Sequence, residues 1–205
     1  MNWHKKPRDS YHHGNLREAL INAALELIGS KGTGGFTFAE AARHAGVSAA
    51  APYRHYKDRD ALLADVAREG FEAFGKVMQK ASSSAKGSAL TEMGKSYLKF
   101  AHDNPAYYSA MFESGLDFST YPDLRKAADA TLNGLRNVVE EMIEKMPEAK
   151  RPPATMVTLH IWAISHGVAS LFGRGDGAAY KQAISAEDLL ESQMLIYLDG
   201  LGIKR

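Results

Sequence analysis

The 205-residue sequence contains no cysteine, which removes disulfides and thiolate metal sites together. Without such staples the fold must rest on a packed core, and this length suffices for one large or two small domains. No stretch reaches the ~18 consecutive apolar residues that a membrane span needs, and no apolar signal core stands at the N-terminus. The expectation is a soluble cytoplasmic protein that uses no membrane. Enzyme signatures are missing as well. Gly173-Arg174-Gly175-Asp176-Gly177 has the wrong spacing for a dinucleotide fingerprint and follows a helical stretch where a strand is required. No serine sits in a G-x-S-x-G elbow. His160 and His166 are six apart, roughly 120° round a helix, and so do not face one metal. His12 and His13 are adjacent in a loop with no third ligand nearby. Catalytic residues, metal ligands and cofactors are therefore not assigned.

Strong net charge is absent too, but the +1 total hides a polarity. Residues 1–60 hold 9 Lys+Arg against 6 Asp+Glu, and the remainder holds 16 against 18. Five of the eight histidines also lie in the first 60 residues. The N-terminal end is thus the better partner for a polyanion. Its first thirteen residues lack periodicity and carry Lys5, Lys6 and Arg8. Such an arm is either a solvated tail or a segment that lies along DNA.

What the chain does have is an explicit run of turn chemistry from Phe36 to Leu63. Thr37 followed by Glu40 forms a capping box, so a short helix starts there. Gly46 stands where that helix must stop and the chain reverse. Val47 plugs the corner, and Ser48 is in position to cap a second short helix. Helix, glycine turn and capped helix make a helix-turn-helix, whose second helix enters the DNA major groove. A preceding helix from Asn15, with Leu16, Leu20, Ala23, Ala24, Leu27 and Ile28 on one stripe, supplies the face on which the pair packs.

These residues resemble the DNA-binding half of the tetracycline-repressor (TetR) family of bacterial regulators. The likeness is carried by Phe36, Ala45-Gly46-Val47-Ser48, Tyr53-Arg54-His55-Tyr56-Lys57 and Ala61-Leu62-Leu63, with Tyr11 to Leu16 similar to the lead-in of one branch. It implies that Ser48, Ala49, Ala50, Tyr53, His55 and Lys57 face DNA, the last three mostly on phosphates, with Thr37, Pro52 and Tyr56 in the same contact unit. Ala49, Ala50, Ala51 and Pro52 depart from the commoner polar-Gly-Thr-Leu version. Methyl groups touch only thymine methyls, and Pro52 removes a donor from the first helical turn.

Beyond Asp58, a helix cap, a connecting helix is expected through Lys80, followed by a boundary at Ala81 to Ser88. The expected division is residues 1–57 for the DNA-binding unit, 58–80 for the connecting helix and 81–205 for a C-terminal helical domain. Helical stretches follow at Ala89–His102, from Pro105, at Asp123–Met146, Ala154–Phe172 and Ala186–Leu201, with a loop from Glu113 to Pro122. The fold class is all-α. The helix from Ala154 is apolar on all sides and needs cover on all sides. Leu190, Met194, Tyr197 and Leu201 recur at 4, 3 and 4 as a packing seam. Together these two helices suggest a two-fold homodimer joined by a four-helix bundle.

Trp162, His166 and Gly167 resemble a Trp-x-x-x-His-Gly signature in one class of TetR-family C-terminal domains. Trp162 and His166 are either a core pair or face one cavity. Phe74, Met78, Tyr97 and Phe100 from the earlier helices, Tyr108, Met111 and Phe112 from the short one, and Met142 complete a set of large adaptable side chains. They suit either an ordinary core or a pocket for an apolar small-molecule effector. The combined expectation is a homodimeric repressor released by that effector from a double-stranded, palindromic operator. A helical interaction protein with neither DNA nor ligand is the remaining rival.

Overall fold

Capping decides where the first helices begin and end. The structure, a computed structural model, describes residues 16–85, 88–173 and 180–203. The arm with Lys5, Lys6 and Arg8, the lead-in to Asn15 and the run from Arg174 to Gly177 lie outside them. Helix α1 (Leu16–Lys31) buries Leu20, Ala23, Ala24, Leu27 and Ile28 as its stripe requires, and Ile21 as well. Helix α2 (Phe38–His44) opens on the capping box: the Glu40 amide donates to Thr37 Oγ1 at 3.2 Å, and the Thr37 amide donates to Glu40 Oε2 at 2.8 Å. Lys31 adds an ion pair at 2.9 Å, and its hydrogen bond is the largest influence pulling the Glu40 carboxyl down to about 2. Gly46, at φ +71°, ends the helix: its amide reaches the Arg43 carbonyl and the Val47 amide reaches that of Ala42. That pair of bonds is a Schellman closure, which needs the left-handed residue glycine supplies.

The second short helix does not form as an α-helix. Residues Ala51–Arg54 make a single 3-10 turn, and Ser48 contributes its backbone carbonyl to the Ala51 amide, with no side-chain cap at the turn's start. Pro52 accounts for this, because it lacks the amide donor, while the His55 and Tyr56 amides converge on its carbonyl.

Helix α3 (Arg59–Ser84) starts at Asp58, whose Oδ1 accepts from the Ala61 amide at 2.8 Å. It continues past the expected break to Ser84, with the Ser83 and Ser84 hydroxyls donating to the carbonyls of Gln79 and Lys80. Next come α4 (Ala89–Asp103), α5 (Pro105–Phe112), α6 (Pro122–Glu144), α7 (Ala154–Gly173), the one-turn α8 (Tyr180–Ala183) and α9 (Ala186–Gly200). Short 3-10 turns at Phe118–Thr120 and Glu148–Lys150 precede α6 and α7. Every element among the described residues is helical, turn or loop.

Helix α3 packs on α1, α4, α5 and α6, so one buried cluster runs from Leu20 and Phe36 through Leu63, Phe71 and Phe74 to Tyr97, Met111 and Leu190. Gly70 permits the α3–α5 crossing, since a Cβ there would stand 2.9 Å from Met111 Sδ. A second cluster joins Leu90, Val139, Ile143, Val157, Ile161, Leu198 and Ile203. The α9 seam needs correction. Leu190 points inward and meets α4 where Gly94 leaves room, whereas Ile196 faces out at 73% exposure.

Asp65 ties the N-terminal elements together. It accepts from Arg17 on α1, from the Tyr56 hydroxyl at 2.7 Å and from Arg68 at 2.9 Å, while Arg17 also reaches Glu69 at 2.8 Å. Burial alone would raise the Asp65 carboxyl, but the bonds from Arg17, Tyr56 and Arg68 outweigh it and hold it below its ordinary value. Removing an acceptor shared by three donors should cost about 2–3 kcal/mol, so Asp65→Ala should lower the urea midpoint at unchanged slope. A carboxyl whose folded pKa is depressed stabilises fully above its unfolded pKa and loses this as pH falls through the folded value. The gap between wild type and Asp65→Ala should therefore be full at neutral pH and shrink on acidification below the ordinary carboxylate range.

Candidate functional site

Two regions carry functional geometry. The first is the surface built by α2, the Gly46 turn and the 3-10 turn. Ser48, Ala49, Ala50, Tyr53, His55 and Lys57 are exposed there, with Arg43 and Arg54 adding cations. Tyr53, at 65% exposure, is steadied by an edge contact with Phe38 at 5.1 Å between centroids. The Lys57 ammonium lies 5.7 Å from the Tyr121 ring centre, and so spans from this surface to the start of α6. Three expected contact residues sit differently. Tyr56 is buried, with its hydroxyl on Asp65, and Pro52 is buried beneath the turn, so both support the surface from behind. The Thr37 hydroxyl is engaged in the α2 cap. Residue type alone does not tell inward from outward in an irregular turn, which is why Tyr56 and Pro52 read as contacts.

The second region is a cavity of about 380 Å³ enclosed by α3, α4, α5, α6, α7 and the loop after α5. Of the ten side chains proposed for it, Phe74, Met78, Tyr97, Met111, Phe112 and Trp162 line the wall. Phe100 is buried behind Phe74, at 5.0 Å between ring centres. Met142 packs against the second cluster instead, about 10 Å farther along α6 than Leu135, which does reach the wall. Sequence reasoning also missed Phe71, Met93, Leu116, Phe118, Asp129 and Thr131. Phe71 was findable, one turn before Phe74 on the same helix. Leu116 and Phe118 belong to a segment without periodicity and carried no such signal.

Tyr108 and His166 stand behind the wall and are joined to Tyr97 on it. His166 Nδ1 shares hydrogen bonds with the Tyr108 hydroxyl at 2.8 Å and the Tyr97 hydroxyl at 3.1 Å, and the two hydroxyls are 3.4 Å apart. The His166 ring stacks on Tyr108 and also contacts Phe112 and Trp162. Burial lowers the His166 pKa, against a smaller opposing pull from Glu113, so the ring stays uncharged at neutral pH. Burial likewise raises both tyrosines and keeps them protonated. The cluster is a neutral hydrogen-bonding patch beside an apolar space.

The loop after α5 connects the two regions. Ser114, Gly115, Leu116 and Phe118 wall the cavity, the Glu113 carbonyl accepts from Thr33 Oγ1 at 3.1 Å, and Tyr121 lies against Lys57.

Known proteins resemble this arrangement along the whole chain. Residues 90–195 match the family of tetracyclin repressor-like C-terminal domains, and residues 20–66 match the bacterial regulatory proteins of the tetR family. The HTH-type transcriptional regulator YobS of Bacillus subtilis (strain 168) is 23% identical over 192 residues, 92% of this chain and 93% of that one. A solved structure of a protein with unknown function from Rhodococcus sp. RHA1 shares 26% identity at a TM-score of 0.75, covering 94% of this chain and 98% of its own. The transcriptional regulator FadR from Bacillus subtilis, in complex with stearoyl-CoA, shares the fold at 16% identity and a TM-score of 0.68, covering 88% and 96%.

Proposed function

Since the chain belongs to the TetR family of DNA-binding transcriptional regulators, we propose that it is a cytoplasmic, homodimeric repressor that a small apolar effector releases from a palindromic operator. The observation that carries the reading is the loop from Glu113 to Tyr121, which forms cavity wall on one side and touches the DNA-binding unit at Thr33 and Lys57 on the other. An effector that pushes Leu116 or Phe118 outward moves those two contacts directly. It also presses on Phe71 and Phe74, the middle of α3, whose first turns hold the DNA-binding unit through Asp65. Both routes change the spacing of two symmetry-related binding surfaces, which must meet successive major grooves ~34 Å apart or a multiple of it.

Dimerisation is supported by α7 and α9. Helix α7 buries Val157, Ile161 and Val168 inside the protomer and turns Met156, Leu159 and Ala163 outward, and Ile196 of α9 is exposed as well. By length and composition α7 is apolar enough to cross a membrane. Its packing on α4, α6 and α9 argues instead for a core helix whose exposed residues Met156 and Leu159 meet a second copy of this chain. Small residues at Ala163 and Gly167 allow close approach.

Three outcomes are expected. On a duplex selected from random sequence, Lys57→Ala should weaken all duplexes alike and reduce the salt slope by about one unit. Met156→Glu with Ile196→Glu should yield folded monomers in sedimentation that lose most operator affinity; an unchanged dimer mass would sink this interface. Ala128→Phe, which fills the cavity without any effector, should weaken operator binding about 5-fold or more, the lower end of ordinary coupling. Unchanged operator affinity in a folded, cavity-filled protein would disconnect the cavity from DNA binding.

A further inference from the structure

We infer that the cavity selects lipophilic cations, such as alkylammonium compounds, and rejects anionic lipids. This rests on the preceding reading of the cavity as the effector site and adds the charge of what enters it. Six of its wall residues are aromatic: Phe71, Phe74, Tyr97, Phe112, Phe118 and Trp162. Phe71 stands nearly perpendicular to both Phe112 and Phe118, and Phe74 to Tyr97, so ring normals around the space point in more than one direction. Ring faces attract a cation within about 6 Å of their centres, and the attraction grows where water is excluded.

The charges agree with the rings. Among the described residues, lysine, arginine and histidine are all missing from the cavity wall, and Asp129 is the one acidic residue on it. His166 behind the wall could have supplied positive charge, but burial keeps it neutral. Arg125 is one turn before Asp129 on α6 and 3.6 Å from its carboxylate, but both side chains are well exposed. A pair of that kind is weak and leaves the carboxylate free to take another partner. An anionic head inside this wall would be desolvated with no countercharge, which is strongly unfavourable. A cation meets an aromatic wall and the exposed carboxylate of Asp129. The shared fold with a stearoyl-CoA-bound regulator therefore does not extend to ligand charge.

The test uses full-length protein with Trp3→Phe, which leaves Trp162 on the cavity wall as the only indole. Its fluorescence is titrated with decyltrimethylammonium, decanol and decanoate below their aggregation limits, so that one apolar tail carries three charges. The ammonium should bind at least about 10-fold more tightly than the carboxylate, and Asp129→Asn should weaken the ammonium several-fold while leaving decanol unchanged. Decanoate binding as tightly as the ammonium, or an ammonium affinity indifferent to Asp129→Asn, would overturn the inference. Decanol binding with no advantage for the ammonium would also overturn it, with the cavity still standing as an effector site. Failure of all three probes would take both readings down.

Discussion

The Asp65 carboxylate is the constraint on which the arrangement of the N-terminal elements depends. It sits on the second turn of α3 and receives hydrogen bonds from α1, through Arg17, and from the chain leaving the 3-10 turn, through Tyr56. A turn of four residues that ends on a proline carbonyl has little internal order of its own, and hydrogen bonds of 3-10 geometry are poorer than α-helical ones. Its orientation comes from outside: Tyr53 rests on Phe38, Pro52 is buried, and Tyr56 is fixed to α3. The exposed surface is therefore set by what is attached to α3 from beneath.

That makes α3 the shared element of the molecule. Its first turns complete the N-terminal core, its middle residues Phe71 and Phe74 face the cavity, and Gly70 just before them lets α5 approach closely enough for Met111 to reach the same space. The loop after α5 adds a second, shorter connection. The long helix and the loop thus both join the same two regions, the helix by packing and the loop through the Thr33–Glu113 hydrogen bond and the Lys57–Tyr121 cation–π contact, beside the direct packing of α1 on α5.

How far this was legible in the sequence depended on range. The caps at Thr37 and Asp58, the stop at Gly46 and the stripe of α1 could be read because each is decided within about one helical turn. The positions that misread were decided by distant partners. Tyr56 looks like a surface residue until Asp65 is placed beside it, and Leu190 looks like an interface residue until Gly94 opens a space for it on α4. The serines after Lys80 look like a linker, yet their hydroxyls bond back along the helix. For the cavity, the helical wall residues were accessible as large side chains on inward stripes. Leu116 and Phe118 were not, because a loop has no period from which to infer a facing side.

The single large apolar cluster running from α1 to α9 has a thermodynamic consequence. Regions that share one core tend to melt together, so the folding free energy of one is also that of the other. Whatever occupies the cavity adds its binding free energy to that common store, in proportion to the logarithm of its concentration above Kd. A molecule held in the cavity therefore also stabilises the N-terminal elements, which it does not touch, against unfolding and against proteases.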